Sequence, residues 1–302
     1  MTPEHRLSLA LVSLEGLAIG DAFGQMFAAA PRAARTRVRE GRLPPRPWWR
    51  TDDTEMALAI VEVLNRFGRI DQDALARRFA ERFAADPDRG YGKMARIILR
   101  EILAGGDWRR ASKAAFGEAG SKGNGGAMRA APLGAWFADD LDRVASEACA
   151  SAAITHAHPE GQAGAVAVAV AAAVALRERG RLPAQVADAI FVEVLRRTPA
   201  GETRDGLARA AQLTDAGPEQ AAKILGSGFL VTAPDTVPFA IWSAARRLGD
   251  YVEAILDTVA GDGDCDTTCA MVGGIVALYV GMGAIPAAWR AAREPFTIEA
   301  LP

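Results

Sequence analysis

Apolar residues recur at helical spacing through most of the chain. Met56, Ala59, Ile60, Val63, Leu64 and Phe67 mark one face of a helix that follows the polar run Thr51-Asp52-Asp53-Thr54. The same spacing predicts helices at about 6–19, 71–84, 91–104, 126–137, 141–154, 161–178, 184–197, 217–226, 235–248, 250–260 and 266–280. No segment shows the period-two alternation of a half-buried strand, so the expected class is all-α. Alanine dominates these helices, which raises helix propensity and lets neighbours approach closely. The irregular stretches are few: Ala28 to Arg50, with four prolines and two tryptophans, Phe116 to Gly126, His156 to Gly161, and Gly261 to Asp266. Each opens onto a helix. With no low-complexity linker and no fixed-period repeat, residues 1–302 are expected to form one compact, orthogonal helical bundle.

Composition narrows the functional classes. Half of the 302 residues are hydrophobic, enough for a sizeable core. Lys and Arg total 35 against 37 Asp and Glu, a formal charge of −2 that provides no positive field for a nucleic-acid backbone. Bulk nucleic acid is therefore not an expected partner. Cys149, Cys265 and Cys269 form no even, closely spaced set, and the start MTPEHRLSLALVSLEG has no signal-peptide core. A reduced, cytoplasmic setting is expected. The most apolar run, Ala163 to Leu176, is about 14 residues long and reads as a buried core helix, since crossing a bilayer needs roughly 20. No membrane is expected, and a monomer is the working expectation.

Two segments concentrate oxygen donors at helix starts. Thr51-Asp52-Asp53-Thr54 offers two carboxylates and two hydroxyls of the kind hard divalent cations prefer. Asp52 followed by Glu55 also fits a capping box, and an acidic first turn suits the helix dipole. Gly261-Asp262-Gly263-Asp264-Cys265-Asp266-Thr267-Thr268 repeats the pattern behind glycines. A calcium EF-hand is excluded there, because counting from Asp262 the position requiring glycine holds Thr267 and the one requiring glutamate holds Gly273. A cap needs one side-chain oxygen, and each segment offers several. Brought together, the two clusters are suited to hold two hard cations of the kind that clamp substrate oxygens and generate hydroxide near neutral pH.

Gly117-Glu118-Ala119-Gly120-Ser121-Lys122-Gly123-Asn124-Gly125-Gly126 is a glycine-rich loop running into a helix expected near Ala127. It serves either as a phosphate cradle of backbone amides or as a plain tight turn. It lacks the spacing of a Walker loop and no strand precedes it. Thr155-His156-Ala157-His158-Pro159-Glu160-Gly161 holds two of the three histidines, without the further ligands a zinc site requires. A helix stop with satisfied histidines is the plain alternative. No nucleophile elbow and no cysteine signature is present.

In this order the segments resemble the ADP-ribosylglycohydrolase family. Gly16-Leu17-Ala18-Ile19-Gly20-Asp21-Ala22-Phe23-Gly24 is similar to its G-x-x-x-G-D-x-x-G start, expected as a turn. Thr51-Asp52-Asp53-Thr54 resembles its T-D-D-T motif, and Gly123-Asn124-Gly125-Gly126-Ala127-Met128-Arg129 its G-N-G-x-A-M-R loop. Thr155-His156 resembles its T-H step, and Gly263-Asp264-Cys265-Asp266-Thr267 its G-D-x-D-T motif. The resemblance implies a compact all-α fold with a dinuclear metal site and hydrolysis at C1″ of ADP-ribose in an ADP-ribosylated protein or small conjugate. It implies two divalent cations, Mg²⁺ or Mn²⁺, held by Thr51, Asp52, Asp53, Asp264, Asp266 and Thr267. Asp53 or Asp266 would take the proton of the attacking water. Gly120, Ser121, Lys122, Gly123 and Asn124 would hold the diphosphate, Phe116 would stack on adenine, and His156 would contact the distal ribose. One departure stands out. The family places a glutamate just after its G-D-x-x-G segment, where this chain has Gly24-Gln25-Met26-Phe27-Ala28, and Glu40 is the next carboxylate available. A binding module that keeps the pocket without turnover is the alternative that this departure raises.

Overall fold

The computed structural model describes residues 1–301, and no strand occurs among them. The helices are α1 (Pro3–Phe27), α2 (Ala34–Arg39), α3 (Asp52–Phe67), α4 (Gln72–Ala85), α5 (Lys93–Leu103), α6 (Trp108–Glu118), α7 (Ala131–Trp136) and α8 (Leu141–Ala153). They continue as α9 (Pro159–Arg177), α10 (Pro183–Arg197), α11 (Glu202–Gln212), α12 (Pro218–Leu225), α13 (Ala233–Arg246), α14 (Tyr251–Ala260), α15 (Cys265–Val280) and α16 (Ala287–Arg290). Side-chain caps fix many starts: Thr51 accepts the Asp53 amide at α3, Asp71 that of Ala74 at α4, and Asp250 that of Glu253 at α14. Gly68, in the left-handed region at φ 67°, closes α3.

The centre is α9, an alanine–valine helix buried on all sides and wrapped by α7, α8, α10, α13 and α15. By length and composition α1 and α9 could each span a bilayer, and α9, at 19 residues, runs beyond the 14-residue apolar stretch inside it, but 67% and 78% of their apolar windows are buried inside the protein. Both are core helices.

The packing of α1 on α15 explains the glycine motif. A Cβ on Gly16 would lie 2.4 Å from the Gly273 carbonyl oxygen, one on Gly20 2.1 Å from that of Cys269, and one on Gly24 2.3 Å from that of Cys265. Glycines four residues apart thus let two backbones touch, as no side chain can. The Gly20-Asp21-Ala22-Phe23-Gly24 segment is consequently helical rather than the expected turn, and α1 runs on to Phe27.

Other elements depart from the spacing. α2, α6, α11 and α16 are not predicted by it. α6 and α11 bury only short sets, Trp108, Ala111, Ser112 and Ala115 in one and Thr203, Gly206, Leu207 and Ala210 in the other, among charged neighbours. The expected 126–137 helix starts late: Asn124–Gly126 form a 3₁₀ turn, and α7 begins only at Ala131 with Pro132 in its first turn.

The chain end is tied to the irregular segment before α3. Trp48 is buried against Phe23 and Trp289, its amide donates to the Ala292 carbonyl, and its own carbonyl accepts from Glu294. Beneath it lies a network of buried ions. Glu62 accepts from Arg78, Arg82 and the Glu299 amide, and Glu55 accepts from Arg50 and Arg82.

Candidate active site

Three helices deliver five aspartates to one end of the bundle. Asp52 and Asp53 open α3, Asp264 and Asp266 flank the start of α15, and Asp21 comes from α1. The α15 turn needs its glycines: Gly263 sits at φ 82°, where a Cβ would also meet the Ser227 carbonyl at 2.4 Å. Asn124 donates from Nδ2 to Asp264 Oδ2 at 2.7 Å and to Thr236 Oγ1 at 3.1 Å. Its side chain therefore orients a carboxylate.

Asp21 is the residue that the sequence reading leaves without a role. One of its oxygens accepts from the Thr51 hydroxyl at 2.8 Å, and the other accepts the amides of Thr51 and Thr54 and the Thr54 hydroxyl. It clamps the start of α3 from beneath. The available signal was a charge inside the apolar stretch Leu17 to Phe23, on a helix otherwise buried there. Thr51, expected as a metal ligand, lies behind the cavity wall. Its hydroxyl donates to Asp21 and caps Asp53, whereas Asp52, Asp53, Asp264, Asp266 and Thr267 line the cavity.

Electrostatics set these carboxylates apart. Burial and the neighbouring aspartates push Asp21 up to about 7, Asp52 up to about 8, Asp264 up to about 7, and Asp53 well above the usual range. Asp53 is buried, and its Oδ1 has no hydrogen-bond partner. Among the described residues no arginine or lysine pairs with any of the five. An all-oxygen donor set with repelling charges and an orphaned buried oxygen fits hard divalent cations. The carboxylates ring the floor without three of them closing tightly on one point among the described residues, so ions there would complete their shells with Thr267, water and substrate oxygens.

The cavity above has a volume of about 640 Å³, within the size range of small-molecule sites. One wall is Gly90, Gly92 and Met94, and the other is the glycine loop with Leu230 and Val231. Of the loop amides expected to hold a diphosphate, three are engaged inside the protein: Gly120 donates to the Ala115 carbonyl, Gly123 to Ser121 Oγ and Asn124 to the Val231 carbonyl. Those of Ser121 and Lys122 have no protein acceptor among the described residues. The cradle is smaller than expected.

Phe116 lines the cavity, is 62% exposed, and sits at φ 53°, a conformation unusual for an aromatic residue. Lys122 is on the rim, 3.7 Å from Glu202. His156 is buried beneath the loop, and burial together with the Arg129 charge pushes it down to about 3. His158 lines the cavity and accepts the Glu160 amide at the start of α9. Gln25, Ala28 and Glu40 do not line the cavity: all three are exposed, and Glu40 pairs with Arg42. No glutamate replaces the family's there.

A family model described as ADP-ribosylglycohydrolase matches residues 2–302. The chain is 29% identical to the ADP-ribosylhydrolase ARH3 of Homo sapiens, over 94% of this chain and 88% of that protein. It is 26% identical to the ADP-ribosylarginine hydrolase Tri1 of Serratia proteamaculans, over 96% of this chain and 76% of that protein. A solved structure described as an ADP-ribosylglycohydrolase-related protein complex superimposes with a TM-score of 0.68 at 27% identity, covering 96% of this chain and 94% of its own.

Proposed function

The chain belongs to the ADP-ribosylglycohydrolase family, and on that premise we propose that it is a metal-dependent hydrolase cutting the glycosidic bond at C1″ of ADP-ribose on a protein side chain or small conjugate. The observation that supports this best is the group of aspartates without an arginine or lysine ion pair, Asp53 buried and Asp52, Asp264 and Asp266 half-buried, at the floor of a cavity of about 640 Å³. Asp52, Asp53, Asp264, Asp266 and Thr267 would hold two ions, Mg²⁺ or Mn²⁺. Bound there, such ions supply Lewis-acid polarisation and a water acidic enough to ionise near neutral pH.

The chain's own residues do the rest. The Ser121 and Lys122 amides receive the diphosphate, and the Phe116 ring offers a stacking face for adenine. His156 donates to a substrate oxygen. Asp53 or Asp266 takes the proton of the attacking water as the glycosidic bond breaks and the sugar carbon gains positive charge. The proposal includes action as a monomer in the cytoplasm.

The test is incubation with arginine-, serine- and phosphate-linked ADP-ribose, each with Mn²⁺, with Mg²⁺ and with chelator, followed by detection of released ADP-ribose. Metal-dependent release from any of them, absent in Asp53→Asn, is the expected result. The absence of any glutamate from the cavity wall favours one second reading, a binding module. Tight binding of ADP-ribose without release under every condition would establish that reading.

A further inference from the structure

The fully buried guanidinium of Arg129 has no carboxylate acceptor among the described residues. It donates to Met56 Sδ at 3.3 Å, to the Ser151 carbonyl at 3.2 Å and to Thr155 Oγ1 at 2.9 Å, and it lies 4.4 Å from the centre of the Phe79 ring. Arginine only donates, so the Thr155 oxygen accepts from it and keeps its single proton for another partner. The other neighbour of that hydroxyl is His156 Nδ1, at 2.8 Å. A hydroxyl that donates to Nδ1 requires a bare nitrogen there, which leaves the ring proton on Nε2.

The Nε2 edge has no protein acceptor among the described residues, and His156 lines the cavity. Two glycines keep that edge uncovered. A Cβ on Gly123 would fall 3.1 Å from Nε2, and one on Gly125 3.2 Å from the same atom.

We propose that Arg129 and Thr155 are positioning residues that lock His156 in its neutral Nε2–H tautomer, so that it presents a donor, never an acceptor, to an oxygen of the bound ligand. The chain Arg129 to Thr155 to His156 runs in one direction only, because its first member cannot accept. His156 therefore selects ligands that place a hydroxyl, ribose or phosphate oxygen at this point. The ligand arm of the test rests on the proposed binding of ADP-ribose; the tautomer does not.

Two-bond ¹H–¹⁵N spectra of the ligand-free protein read the tautomer directly, since only three histidines contribute and His156 is assigned by its loss in His156→Ala. The expected spectrum of the natural protein shows an Nε2–H ring. Thr155→Ser retains it, and Thr155→Val gives a tautomer mixture. In calorimetry with ADP-ribose, Thr155→Val weakens binding about tenfold, the loss of one well-placed hydrogen bond, and Thr155→Ser changes it less than about threefold. An Nδ1–H or doubly protonated ring in the natural protein, or an unchanged Nε2–H ring in Thr155→Val, overturns the proposal. Should Thr155→Val fail to fold, the spectrum of the natural protein decides alone. An Nε2–H ring in a protein that does not bind ADP-ribose leaves this inference standing and removes the functional one.

Discussion

Helix α3 carries two sets of buried acids, and they are treated in opposite ways. One face of it holds Glu55 and Glu62, two turns apart, which accept from Arg50, Arg78 and Arg82. Burial alone would raise Glu62, but the hydrogen bonds from Arg78 and Arg82 outweigh it and hold the group below the ordinary glutamate value. The first turn holds Asp52 and Asp53, which face Asp21, Asp264 and Asp266 and are pushed up by burial and by one another. A buried acid with arginines is complete in the folded chain. An acid set among other acids, which the buried Arg129 charge reaches through space but does not pair with, keeps its proton until something positive arrives. The difference separates scaffold from site on a single helix, where composition alone cannot.

The largest expected effect tests the site half of this comparison. Asp53→Asn removes one charge from a repelling cluster, so we expect turnover to fall by about 10²–10⁴ and Mn²⁺ affinity to drop, with thermal stability unchanged or raised. Turnover assays and calorimetry beside a melting curve check all three. The scaffold half predicts the reverse: Glu62→Gln leaves two buried arginines short of a partner and should destabilise the fold by about 3–5 kcal/mol, with activity per folded molecule retained. Denaturant titration measures it. A Glu62→Gln protein that loses activity but no stability would erase the distinction.

The pH dependence of the metal-free protein is a smaller effect with a definite sign. Asp21 and Asp264 near about 7 and Asp52 near about 8, against 3.8 for ordinary aspartate, mean that the folded chain holds protons the unfolded chain has released. Stability from these groups is therefore fully present below about pH 4 and is lost as pH rises through about 7 to 8. Melting curves across that window should fall with pH under chelator, and saturating Mn²⁺ should restore most at the alkaline end. The smallest effect belongs to the rim. Lys122→Ala breaks an exposed, loose pair with Glu202 and should change stability by less than about 0.5 kcal/mol.

Much of this was legible in the sequence. The all-α class followed from spacing, and the two acid-rich helix starts do meet at one cavity with the glycine loop, Phe116 and His156 around it. What remained hidden depends on contacts distant in the chain. Asp21 acts only because α1 lies against the start of α3, Thr51 reaches inward because Asp21 is there to receive it, and Gly120, Gly123 and Asn124 use their amides on partners at Ala115, Ser121 and Val231. Gln25, Ala28 and Glu40 lie near the Gly24 position along the chain but not near the site, because α1 continues as helix past Gly24 and carries Gln25 to the outside.

The glycine contacts between α1 and α15 have a consequence for how this family's chemistry can vary. Exchanging a carboxylate changes the charge offered to an ion, but Gly16, Gly20 and Gly24 fix the gauge, because the separation of the α1 and α15 acids is set by two main chains in contact. A gauge made of backbone has no rotamers through which to drift. A shift toward larger or smaller ions is therefore open to substitution at Asp52, Asp53 or Thr267, whereas a single methyl group on the ridge would wedge the helices apart and alter every distance across the floor together.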